Sequence, residues 1–192
     1  LSNYIHDYSY KAASTIEFRD YMSESSGIDL NDFFDSWIFE AGFPHFSIAG
    51  FTSQKSDQHY EVKINIRQRL KERELFGMNN YIDLTFVDKD LNLHEERVSM
   101  SGPEEGINVS IPFEPVNVFI DLEEKIADAT VDNYKLFNDT ANHDFPFTDF
   151  GLLIKSLKGK AFVQSTMNHI EPMNAESDEF LFSNEKYWEI RG

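Results

Sequence analysis

The chain has 192 residues, enough for one good core or two modest ones, and its 41% hydrophobic and 15% aromatic content, with 18 Phe, excludes a disordered chain. A formal net charge of -17 repels phosphate backbones and anionic bilayer surfaces, so nucleic acid and charged membranes are set aside as partners. The sequence holds no cysteine, which removes disulfides, thiolate nucleophiles and Cys-based zinc sites together, and no run of 18 apolar residues, so no membrane span is expected.

The first residues, Leu1-Ser2-Asn3-Tyr4, carry neither an initiator Met nor a basic-then-apolar leader, and the expectation is a chain that continues something upstream. Ser14 followed by Glu17 reads as a capping box opening a helix over 14–25, with Phe18, Tyr21 and Met22 on one face and Gly27 as its stop. A second helix is predicted from Asp29 as N-cap, with Leu30, Phe33, Phe34, Trp37 and Ile38 at helical spacing, ending at Gly42 and Pro44. Isolated helices of this length are marginal in water, so their aromatic face is expected to stay exposed or to be covered by another copy of the chain.

After Pro44 the period changes from 3.6 to 2. Val62, Ile64 and Ile66 form one strand face, Ile82, Leu84 and Phe86 a second, Ile107, Val109, Ile111 and Phe113 a third, and Val116, Val118, Ile120 and Leu122 a fourth. Further strands are expected over 46–51 and 93–100. About six short strands at regular spacing favour an antiparallel β-sandwich with Val62, Ile64, Ile66, Ile107, Val109, Ile111, Val118 and Ile120 facing inward. Residues 121–133 lack a clean period and read as a connection; beyond it, 152–157, 161–167 and 180–190 read as strands.

Chemistry is sparse along the chain. His94-Glu95-Glu96 begins like the zinc motif H-E-x-x-H, but Val98 stands where the second histidine is required and the flanks have strand character, so a solvated strand edge is expected. The histidines at 6, 45, 59, 94, 143 and 169 show no ligand spacing and no nucleophile motif. Asp121, Glu123, Glu124, Asp128 and Asp132 could bind calcium, yet they lack the spacing and central Gly of an EF-hand, and a solvated connection is the preferred reading. Phe145, Phe147 and Phe150 are assigned to packing rather than to a sugar-stacking platform. Asn108-Val109-Ser110 and Asn138-Asp139-Thr140 match the glycosylation pattern, a common chance match.

The run Ser26-Gly27-Ile28-Asp29-Leu30-Asn31-Asp32-Phe33-Phe34-Asp35-Ser36-Trp37-Ile38, continuing to Gly42-Phe43-Pro44, resembles the end of the catalytic domain in the aminopeptidase N family of zinc metallopeptidases, where it leads into a β-sandwich. Tyr10, Lys11, Ala12, Ile16 and Phe18 fit the helix before it, and 121–133 with the closing Tyr187-Trp188-Glu189-Ile190-Arg191-Gly192 resemble long bacterial members; Gln164 to His169 depart from the family's Arg-Val-Glu-His-like run. The resemblance implies the terminal helices of an α-helical catalytic domain over 1–43, an immunoglobulin-like antiparallel sandwich over 44–122, and a connection with a further, incomplete β-rich segment over 123–192. It implies an extracytoplasmic location, the upstream catalytic domain of the same polypeptide as partner, and peptides as substrates of the parent. The family's zinc ligands and catalytic residues lie upstream, so no catalytic, cofactor-binding or metal residue is carried onto this chain, and zinc is expected only in the parent. The alternative from another class is a binding or adhesion module for sugar, calcium or protein.

Overall fold

The computed structural model describes residues 1–173 and 185–192. Strands hold 46% of the chain and helices 15%, so the fold is mainly β, built from several antiparallel sheets. After a short helix, α1 (Ser2–Asp7), comes α2 (Thr15–Ser26). Its start follows from local chemistry: the Ser14 hydroxyl accepts from Glu17 N–H at 3.2 Å while the Glu17 carboxylate accepts from Ser14 N–H at 2.7 Å. Gly27, at φ +72°, ends it in the left-handed region.

The second predicted helix forms only as α3 (Asn31–Phe34) and then widens into a π-helical turn (Asp35–Phe39). Its N-cap is Leu30, not Asp29; the Asp29 carboxylate instead accepts from Asn31 N–H at 2.9 Å. Gly42 joins this segment to the sheets at φ +77°, with Lys71 O only 2.2 Å from where a Cβ would sit. Any side chain there would collide with backbone, which accounts for glycine.

The strands are β1 (Phe43–Ser56), β2 (His59–Lys71), β3 (Asn80–Val87), β4 (Leu93–Met100), β5 (Glu104–Ile111) and β6 (Asn117–Ile120). They build two three-stranded antiparallel sheets, ordered β1-β2-β5 and β4-β3-β6. Both sheets feed one core: Phe46, Val62, Ile64, Ile66 and Ile111 from the first, Ile82, Leu84, Phe86, Val98, Met100 and Val118 from the second. Alternation thus put the central strands the right way round. Ile107, Val109 and Ile120, expected to face inward, are only partly buried because β5 and β6 lie at sheet edges.

A second β unit follows: β7 (Thr130–Phe137), β8 (Asn142–Phe145), β9 (Phe150–Leu153), β10 (Ala161–Asn168) and β11 (Tyr187–Arg191), in sheets ordered β11-β10-β7 and β8-β9. The connection expected over 121–133 is therefore shorter, because Thr130 already pairs with Asn168 across β7 and β10. The strand expected at 152–157 is displaced to 150–153. Of that expected at 180–190, residues 180–184 lie outside the described residues, and β11 starts at Tyr187 and runs one residue past the expected end. Phe137 and Phe145 are fully buried in this unit, whereas Phe147 is exposed.

The helical segment does not stand free of the sheets. Trp37 packs on the core of the first β unit and its indole N–H donates to Asn80 Oδ1 at 3.3 Å. The Asp32 carboxylate accepts from Met78 N–H at 3.1 Å, and Glu40 from Glu74 N–H at 2.9 Å. This corrects the expectation that the aromatic face as a whole is uncovered: Phe34 and Trp37 turn inward, and Phe33, Ile38 and Phe39 remain about half exposed. With Trp188 replaced by Phe, Trp37 is expected to show blue-shifted emission and low acrylamide quenching at every protein concentration. A red-shifted Trp37 in dilute protein that moves to the blue on concentration would overturn the docking.

Candidate functional site

Between the two β units runs the link 121–129, and its Asp121 and Asp128 line a crevice of about 40 Å³. Phe46, Ser47 and Ile48 of β1 and Ile120 of β6 line one side, and Gln164, Thr166 and Asn168 of β10 with Glu189 and Arg191 of β11 line the other. Asp121, Asp128, Thr130 and Asp132 complete it. This is the structure's main gathering of perturbed titratable groups, which makes it the candidate site.

The carboxylates hold the link in shape. Asp121 accepts from Lys125 N–H at 2.9 Å and from Ile126 N–H at 2.7 Å, closing a tight loop. Ile126 packs on the first core. Lys125 Nζ donates to Asp83 Oδ2 at 2.8 Å, and Arg97 Nε to Asp83 Oδ1 at 2.6 Å. Arg97 first and Lys125 second hold the Asp83 carboxyl well below the usual carboxylate range. Further along, Glu124 accepts from Asp132 N–H, and Asp128 accepts from Thr130 N–H at 3.0 Å and Thr130 Oγ1 at 2.6 Å. Asp132, buried on β7, accepts from Gln164 Nε2 at 2.8 Å and from Thr166 Oγ1.

Four of these acids have their pKa raised, and burial is the leading cause each time. It lifts Asp121, carries Asp128 up to about 6, and lifts Asp132. Glu124 is exposed along its side chain, yet burial of its carboxyl end and the neighbouring Asp132 charge push it upward as well. Glu124 and Asp132 meet through their carboxyl groups, so the two titrate as a pair.

Among the described residues, several polar groups cross the joint. His45 Nε2 lies 2.7 Å from Asn168 Oδ1, Ala129 N–H donates to Pro44 O at 2.7 Å, and Arg69 Nη1 donates to Glu171 O at 2.7 Å. Among the described residues the apolar part is small: Val87, Phe119, Leu122 and Phe162 are buried, with Leu91 and Tyr134 partly buried against them, and the Phe119 and Phe162 rings lie 4.9 Å apart.

The sequence-predicted acids Asp121, Glu124, Asp128 and Asp132 are brought together; Glu123 instead accepts from Tyr134 Oη at 2.8 Å. Their oxygens are committed to N–H and O–H donors of the link and sheets. Among the described residues no group of three or more His, Asp and Glu side chains has the arrangement of a metal site. His94 lies in β4 and pairs with Glu96 at 2.9 Å, as strand spacing requires, while Val98 turns into the core. Of the Phe trio, Phe145 is fully buried, so the three rings form no flat platform.

Gln164, Thr166, Asn168 and Arg191 were not singled out from the sequence. The one local signal is a polar run, Gln164-Ser165-Thr166 with Asn168 beyond it, inside a segment that reads as a strand. No family model, curated protein or solved structure matches the chain.

Proposed function

We propose that the chain is a non-catalytic accessory region of a zinc aminopeptidase, extracytoplasmic in location, supporting peptide hydrolysis by a metal centre held upstream in the same polypeptide. The two sheets that share the first core are read here as an immunoglobulin-like sandwich. The observation that carries the proposal is the helical segment's divided apolar surface. Trp37 anchors it to the β unit and Phe34 is buried among the rings of Phe18, Phe33 and Phe39, while Phe33, Ile38 and Phe39 stand about half exposed on a segment locked at Gly42. An apolar surface held rigidly in water favours a partner domain over solvent. The aminopeptidase-like pattern at 26–44 supports the upstream catalytic domain as that partner.

The chain by itself is expected neither to bind zinc stoichiometrically nor to hydrolyse aminoacyl amides. Elemental analysis and a fluorogenic aminopeptidase assay check this. One zinc per chain with turnover above a buffer blank would overturn the accessory reading. An H-E-x-x-H motif is expected in the gene product ahead of Leu1, and its absence there would leave a binding role or an inactive homologue.

A further inference from the structure

We propose that the buried pair His45–Asn168 is a latch between the two β units that holds while the His45 ring is neutral and releases when the ring takes up a proton. The placement of the pair carries this. His45 lies at the start of β1 and Asn168 at the end of β10, so their bond joins one unit to the other. The ring's Nε2–H donates to Asn168 Oδ1 at 2.7 Å, and the two residues are only 0% and 3% exposed. Beside them the main chain ties the same elements through the link: Ala129 N–H donates to Pro44 O at 2.7 Å, and His169 N–H donates to Ala129 O at 2.8 Å.

A neutral ring suits this place and a charged one does not. The single proton of the neutral imidazole is used on Asn168, while Nδ1 is buried with no hydrogen-bond partner among the described residues. The unpaired atom across the bond, Asn168 Nδ2, is itself a donor and offers no acceptor. A second proton therefore places a charge and an unpaired N–H where water does not reach, and opening the joint hydrates both. On β2, Arg69 stands opposite His45 in register and repels a further cation; Glu189 of β11 attracts one; Asn168 of β10 carries no charge. Burial leads, and with Arg69 it holds the ring's pKa below the ordinary histidine value against Asn168, Glu189 and the ring's own backbone.

The direction follows from linkage. In an open joint the ring takes its proton near the ordinary value of about 6.5, and in the closed joint only at lower pH. The closed joint is thus favoured in full above about 6.5 and loses about ten-fold in population per pH unit below it, until the closed-state value is reached. Asp128 and Asp132, which line the crevice with Asn168, have raised pKa values and pull the opposite way on acidification. His169, next along the chain, is lowered by burial, Lys71 and Lys186. The latch is therefore read as the difference between the native chain and a variant in which His45 alone cannot titrate.

The test is amide hydrogen exchange on the whole chain at about pH 7.5 and about pH 5.5, corrected for intrinsic rates. His45→Gln keeps an amide N–H for Asn168 Oδ1 and takes up no proton. The joint amides of Ala129 and His169 in the native chain are expected to lose about ten-fold more protection on acidification than the same amides in His45→Gln, while the core amides of Ile64 and Phe86 change alike in both. An equal response of the joint amides, or a native joint that tightens relative to the variant as pH falls, would overturn the latch. Should His45→Gln not fold, Asn168→Asp decides: a carboxylate facing Nε2 stabilises the charged ring inside the closed joint, so its joint amides are expected to keep the protection that the native ones lose. Joint amides in Asn168→Asp that loosen on acidification as much as the native ones would overturn it equally.

Discussion

Phe86→Ala is expected to lower the stability of the first β unit by about 3–5 kcal/mol, read as a fall in denaturant midpoint with little change in slope. Phe86 is fully buried on β3, the central strand of its sheet, where it meets Ile64 and Ile66 of the other sheet within one core. Truncation removes most of the ring's transfer energy and leaves a cavity between two layers that backbone hydrogen bonds hold apart, so collapse around it is limited. Ile107→Ala on the edge strand β5, where the side chain is only partly buried, is the internal comparison and should cost clearly less. An unchanged midpoint for Phe86→Ala would mean that the two sheets do not share the core described here.

That contrast marks how far the sequence could be read. Central strands β2 and β3 were legible because one face of each turns into the core, which sets apolar residues at every second position over 62–66 and 82–86. Edge strands obey the same alternation, but which of their residues are buried depends on neighbours that local pattern does not specify, as at Ile107 and Val109. The capping box at Ser14 and Glu17 is local chemistry, and it was read correctly to the residue. The second helix was read too long, since its apolar spacing also suits a π-helical turn once Trp37 is drawn down onto the β unit toward Asn80, 43 positions away.

The joint was the least legible part for a physical reason. β7 begins inside an acidic run that reads as solvated, because its inward residue Asp132 is polar and finds its donors, Gln164 and Thr166, more than thirty positions away. A buried acid on a strand looks like a loop residue until its partners are known. The same long-range pairing turns an acidic stretch into a cluster with raised pKa values.

Phe145→Ala is expected to unfold the second β unit by removing about 3–5 kcal/mol from it, and to do so without melting the first. Phe145 is fully buried, with the Phe150 ring 5.5 Å and the Phe137 ring 6.1 Å away, while Lys135 Nζ lies 5.4 Å from its centroid. A unit of roughly 60 residues has little stability to spare, so one lost ring of this kind is comparable with the whole. Two single-tryptophan versions separate the units. With Trp37→Phe the remaining Trp188 reports on the second, since its indole N–H donates to Thr148 O at 2.7 Å; with Trp188→Phe the remaining Trp37 reports on the first. In Phe145→Ala the Trp188 transition should fall to low denaturant while the Trp37 transition moves by about 1 kcal/mol or less, because the contact between the units is a small apolar patch and a few polar bonds. Coincident transitions for both reporters would show that the joint couples the units into one cooperative body, and the carboxyl groups along the link would then bear on the stability of the whole chain.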